Sequence, residues 1–160
     1  MMTEKVRIIL AKRTSPRRCS IVRRTSDTGV RDFERFLIMK YEWLDEYCLQ
    51  KPGTVKDYKA EWAAFRYMVG GKFYALLGGD KAGKPIVSLK LEPALGSMLR
   101  EQHSDIVPGY YLNKEHWNSV YLEGDTPDDV LRMMIDESYR LVLSGLPKKT
   151  QREITYGGKV

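Results

Sequence analysis

Ala64-Phe65-Arg66-Tyr67-Met68-Val69-Gly70-Gly71-Lys72-Phe73-Tyr74-Ala75-Leu76-Leu77 is the stretch that decides the fold. Two runs rich in aromatic and aliphatic residues flank a glycine pair. A two-residue loop in which both positions need φ > 0 is the type I′ hairpin turn. Alternation predicts Phe65 opposite Leu76 and Tyr67 opposite Tyr74 on one face, with Arg66 opposite Ala75 and Met68 opposite Phe73 on the other. Gly78–Lys84 reads as a flexible turn, and Pro85–Leu91 as a third strand with Val87, Leu89 and Leu91 on one side. The centre of the chain is therefore an antiparallel meander.

On its amino-terminal side, Phe33, Leu37, Tyr41, Leu44 and Cys48 recur at helical spacing. They predict a helix over Met39–Gln50, with a start as early as Asp32 also compatible. Lys51-Pro52-Gly53 stops it, because proline lacks the donor N–H and glycine accepts positive φ. On the carboxyl side a short helix starts at Pro93, with Leu95, Met98, Leu99 and Gln102 as its stripe. A long aromatic connection, Ser104–His116, leads to a strand over Trp117–Leu122. The last helix carries the clearest signals: Thr126 as N-cap, Pro127 as first helical residue and Asp129 completing a capping box. Leu131, Met134, Ile135, Ser138 and Val142 form its buried stripe, and Gly145 with Pro147 ends it. Helix, three strands, helix, strand, helix is the α+β class: a single domain with an antiparallel β-sheet and helices packed on one face.

The 160 residues amount to about one domain, with 42% hydrophobic and 30% charged side chains. That composition excludes a collagen, a coiled coil and a disordered chain. No apolar run approaches the ~20 residues needed to cross a bilayer. Cys19 and Cys48 make no disulfide framework, and no signal peptide is visible, so a reducing, cytoplasmic setting is expected. The formal charge of +6 is carried by residues 1–38, which hold ten Lys/Arg against four Asp/Glu; residues 39–160 are neutral. Residues 1–38 read as a basic, mostly irregular extension, and 39–160 as the domain. Within the extension, residues 1–29 read as a poorly structured arm, for which three readings compete: a solvated tail, an arm contacting an anionic polymer, and sequence upstream of the true start.

Catalytic groups are sparse. His103 and His116 are the only histidines, and neither has a ligand partner at metal spacing. Cys48 reads as a buried small hydrophobe, while Cys19 sits among arginines in an arm without a pocket. Val69-Gly70-Gly71-Lys72 lacks the Gly-Lys-Ser/Thr ending of a P-loop. Glu42, Asp45 and Glu46 form a ridge that suits either a solvated face or a cation. Neither enzyme activity nor a cofactor is expected. The most suggestive feature is a basic stretch: residues 51–91 carry Lys51, Lys56, Lys59, Arg66, Lys72, Lys81, Lys84 and Lys90 against Asp57, Glu61 and Asp80. Tyr58, Tyr67, Phe73 and Tyr74 interleave with these cations, as in surfaces that grip phosphates and stack bases.

Val69–Ala75, Val87–Lys90 with Pro93, Leu99–Pro108, Tyr111–Leu122 and Asp136–Tyr139 together resemble the MmcQ/YjbR family, over about Met39 to Ile154. The resemblance implies a fold of the CyaY-like or secretion-chaperone-like kind and a DNA-binding role through a double wing of β elements. It implies no catalytic residues. Carried over by position, the wings are the Arg66–Leu77 hairpin and the Gly79–Lys84 turn, with Lys72, Lys81 and Lys84 as their phosphate contacts; Arg66 and Lys90 join these three as candidate DNA-binding residues. Asn113, Lys114, His116 and Trp117 lie in the family's longest motif, where Trp117 looks like a structural junction. The leading expectation is a monomeric, non-enzymatic domain that binds DNA. Its rival is a protein-interaction or chaperone-like module using the acidic last helix or the loop Ile106–Leu112. A metal binder through Glu42, Asp45 and Glu46 is a third reading.

Overall fold

In the computed structural model, which describes Arg31 and residues 41–157, the Gly70-Gly71 pair turns the chain between two paired strands with φ of +57° and +80°. These strands, β2 (Ala64–Val69) and β3 (Lys72–Gly79), lie within a six-stranded antiparallel sheet. Its other members are β1 (Thr54–Lys59), β4 (Pro85–Lys90), β5 (Ile106–Pro108) and β6 (Trp117–Tyr121), in the order β1-β2-β3-β4-β6-β5. The helices are α1 (Glu42–Leu49), α2 (Pro93–Gln102), α3 (Asp128–Ser144) and α4 (Lys148–Gly157). The predicted α+β class is the observed one. Among the described residues no helix is long and apolar enough to cross a membrane.

The hairpin register departs from simple alternation. Next to the turn, Val69 pairs with Lys72 and Met68 with Phe73, as predicted. Beyond them the pairs are Tyr67–Ala75, Arg66–Leu76 and Phe65–Leu77, one residue out of step with the sequence reading. Tyr74 is the extra residue of a β-bulge, which puts two residues of one strand opposite one of its partner. Tyr74 and the adjacent Ala75 are consequently both fully buried. The strand is also longer than expected, because Gly78 and Gly79 pair with Ile86 and Pro85 instead of opening the turn.

The helices cover the face that carries Tyr67, Val69, Ala75, Leu77, Val87, Leu89 and Val120. All five residues of the predicted α3 stripe are buried there. In α1, Leu44 and Cys48 are buried as the spacing requires, with Tyr41 buried just before it. The possible earlier start, with Phe33 and Leu37, and the basic arm with Cys19 lie outside the described residues. In α2 the buried residues are Gly96 and Leu99, whereas Met98 is 44% exposed. The helix is rotated from its predicted stripe because it lies close on β6: a Cβ on Gly96 would stand 2.9 Å from Asn118 Nδ2.

The predicted cap of α3 is not formed. Pro127, at ψ 147°, is the N-cap, and its carbonyl accepts the first helical bond from Leu131. The helix thus begins one residue later than predicted. Thr126 is instead buried, with its hydroxyl unpartnered among the described residues.

Candidate nucleic-acid interface

The opposite face of the sheet is the more open one. Val55 pairs with Met68 and Asp57 with Arg66, and Met68 pairs with Phe73, so these five side chains share one side. Lys90 pairs with Trp117, and the Phe73 and Trp117 ring centroids are 5.1 Å apart, which brings both onto this side. Trp62, held by a short 3-10 turn (Ala60–Trp62), stands edge-on to Phe73 at 6.1 Å and is 50% exposed. Three rings therefore follow one another across the open face. Beyond the end of the β3–β4 ladder, Arg66, Lys72, Phe73, Lys90 and Trp117 line a cleft of about 440 Å³ together with Leu141, Val142 and Gly145 at the carboxyl end of α3.

Of the eight cations between 51 and 91, four are neutralised. Lys51 pairs with Asp136, Lys56 with Asp45 at 2.5 Å, Lys59 with Glu61 at 3.2 Å, and Arg66 with Asp57. Arg66 meets Asp57 with both arms of the guanidinium, its Nε donating to Oδ1 at 2.8 Å, and it also lies 5.7 Å from the Trp62 ring. The hydrogen bond from Arg66 draws the Asp57 carboxyl below the ordinary carboxylate range. Arg66, a candidate DNA-binding residue from the sequence, is thus a wall of the cleft with Asp57 as its ion-pair partner. Lys72, Lys81, Lys84 and Lys90 have no ion pair among the described residues.

Those four lysines do not form one patch. Lys72 opens β3 and Lys90 closes β4, whereas Lys81 and Lys84 sit in the turn between the far ends of these strands. At ~3.3 Å per strand residue the two pairs stand more than about 20 Å apart. The 80–84 turn is tied down where flexibility was expected. Asp80 Oδ1 accepts from the N–H groups of Ala82 at 2.8 Å and Lys84 at 3.0 Å. Tyr121 donates to Asp80 Oδ2 at 3.1 Å, and the Lys81 N–H donates to the Tyr110 hydroxyl at 3.2 Å.

Of the motif residues, Trp117 reaches the open face. Asn113 shapes a turn: its Oδ1 accepts from the Glu115 N–H and its carbonyl from the Trp117 N–H, both at 2.9 Å. The His116 carbonyl accepts from the Leu91 N–H at 2.7 Å, and Lys114 is exposed on the turn. Two of the four rings expected to stack bases face the core instead: Tyr67 and Tyr74 are both fully buried. Burial and the nearby Asp45 push the Tyr67 phenol upward, and its hydroxyl donates to Asp45 at 2.7 Å. Asp45 is thereby committed to Lys56 and Tyr67, and no group of three metal-ligating side chains exists among the described residues. Burial pushes the Cys48 thiol up to about 12, the behaviour of a buried small hydrophobe. Trp62 escaped the sequence reading because β1, the strand before it, did too.

The family model YjbR matches residues 49–141. The chain belongs to the YjbR family. Its relatives include YjbR of Escherichia coli K12, 36% identical over 107 residues, which are 67% of this chain and 90% of that protein. YyaQ of Bacillus subtilis is 34% identical over 105 residues, covering 58% of this chain and 88% of that protein. Among solved structures, a Deinococcus radiodurans protein with the domain DUF419 is similar at TM-score 0.64 and 31% identity, over 71% of this chain and 86% of its own. A Pseudomonas syringae protein is similar at TM-score 0.54 and 30% identity, over 64% of this chain and 97% of its own. The YjbR match spans β2, β3, β4 and β6, the strands that carry Arg66, Phe73, Lys90 and Trp117.

Proposed function

We propose that this YjbR domain is a non-enzymatic DNA-binding module that meets the phosphate backbone at the two ends of β3. The observation that carries the reading is the pattern of charge neutralisation. Four cations of the sheet are paired with acids, and those left over, Lys72, Lys81, Lys84 and Lys90, stand only at the strand ends. A separation of more than about 20 Å corresponds to roughly six phosphate steps of ~3.4 Å along one strand. Besides the apolar Val55 and Met68, the open face brings together rings, cations and the answered carboxylate of Asp57, a set suited to holding a polyanion and not to proton or group transfer.

Binding of the full chain to a fluorescent duplex, measured by anisotropy across salt concentration, tests this reading. Removing one lysine that neutralises a phosphate lowers the slope of log affinity against log salt by about one. Lys72→Ala with Lys90→Ala, and Lys81→Ala with Lys84→Ala, are each expected to flatten it by about two. Unchanged slopes in both would assign any binding to the +6 segment before residue 39 and end the reading for the domain. The second reading, a protein-docking surface, has its own observation: Val55 is 59% exposed, Trp62 50% and Tyr111 70%.

A further inference from the structure

We propose that the cleft beside Phe73 takes an unpaired nucleobase, so that the domain prefers single-stranded nucleic acid to duplex; this rests on the nucleic-acid reading above. A duplex offers phosphates but keeps the faces of its bases stacked on one another. Three neighbouring rings are of use only to bases whose faces are free. Phe73 and Trp117 lie 5.1 Å apart at 37°, Trp62 continues the row at 6.1 Å, and both Phe73 and Trp117 are half-buried, so each is held by packing while keeping exposed surface. The cleft volume of about 440 Å³ falls within the ~300–1,000 Å³ of small-ligand sites.

Charge selects the occupant. Lys72 and Lys90 line the same cleft as Phe73 and Trp117 and have no acid partner among the described residues. Arg66, locked to Asp57, contributes a flat wall over Trp62. Aromatic rings flanked by uncompensated cations are the combination that single strands use, with the bases stacked and the backbone tracked by charge. A neutral or basic peptide would cover the rings and leave the two lysines unanswered.

The test compares the full chain binding a fluorescent 12-mer of thymidylate with its binding to a duplex of the same length, at one low and one moderate salt concentration. The single strand is expected to bind more tightly, and to quench tryptophan fluorescence. Phe73→Leu keeps an apolar side chain against Trp117 but removes the π face. It is expected to weaken single-strand binding roughly tenfold and to leave the duplex unaffected. Equal single-strand affinity in Phe73→Leu overturns the inference, as does a preference for duplex; either result leaves duplex binding by the domain standing. Failure to bind either probe at low salt overturns both readings and assigns the open face to a protein partner. If Phe73→Leu does not fold, Trp62→Ala, at a half-exposed ring, decides: a several-fold weaker single-strand affinity supports the inference, and an unchanged one overturns it.

Discussion

Ser138 donates its hydroxyl proton to the carbonyl of Tyr74 at 2.5 Å, so a helix side chain is stitched into the sheet at its bulge. The same oxygen accepts the backbone N–H of Lys90 at 2.7 Å. The β3–β4 ladder ends at Ala75–Leu89, one step short of these two groups. One hydroxyl therefore serves a carbonyl on β3 and an amide on β4 that the bulge has separated. It also explains a serine in a helix stripe otherwise made of Leu, Met, Ile and Val.

Replacing Ser138 by alanine leaves both groups without that partner. An unmet buried polar group costs about 1–3 kcal/mol. Urea denaturation of Ser138→Ala is expected to show a destabilisation in that range or above it. An unchanged midpoint would mean that other partners take over both groups.

Thr126 gives the opposite expectation. As an N-cap it would cost about 0.5–2 kcal/mol to remove. Its hydroxyl is buried and unpartnered among the described residues, so Thr126→Val, which keeps the shape and discards the hydroxyl, is expected to leave stability unchanged or raise it. A fall in the denaturation midpoint would restore the capping role.

Asp57 supplies a pH dependence. Its folded carboxyl titrates below the ordinary value, through the hydrogen bond from Arg66, so the folded state takes up this proton less readily than the unfolded chain. The pair's contribution is present above the unfolded pKa of ~3.9 and is lost as pH falls through the lower folded value. Thermal melts from about pH 5 to 2 are expected to fall less steeply for Asp57→Asn than for the parent chain. The same variant leaves the Arg66 charge unanswered, and the salt slope for nucleic acid is expected to steepen.

The two hairpin glycines are expected to differ. Both have positive φ, yet a Cβ on Gly70 would run into Leu146 Cδ1, while one on Gly71 meets nothing within 4 Å. Gly70→Ala should therefore destabilise more than Gly71→Ala, whose cost is conformational strain of about 1 kcal/mol. Leu146→Ala placed on top of Gly70→Ala should cost less than it does alone. Additive effects would show that the crowding is relieved without strain.

Much of the architecture was legible because it rests on periodicity and turn chemistry. The Gly70-Gly71 turn, the strands beginning at Pro85 and Trp117, and the five-residue stripe of α3 all follow from local rules. The bulge did not, since no glycine marks Tyr74 and the hydroxyl that meets its carbonyl comes from a helix 64 residues away in sequence. β1 was missed because Thr54-Val55-Lys56-Asp57-Tyr58-Lys59 has no apolar alternation, and its pairs across to β2 include the ionic Asp57–Arg66 and the aromatic Tyr58–Phe65. β5 has three residues and α4 has none buried, so neither offers a buried apolar stripe to read. The candidate site was legible in its residue types and not in its arrangement. Eight cations are visible in the sequence, but only the fold separates the four held by acids from Lys72, Lys81, Lys84 and Lys90.

The outermost strands bear on a hazard that any sheet with uncovered aromatic rings runs. A long apolar border invites another chain to continue the hydrogen-bonded ladder, and fibres grow that way. Here one border is β1, which brings Lys56 and Lys59 to the margin, and the other is β5, which has three residues and closes on Pro108, a residue with no N–H to offer. Both margins are poor templates for strand addition. Trp62 and Phe73 can stay uncovered without that openness turning into self-association along the edges of the sheet.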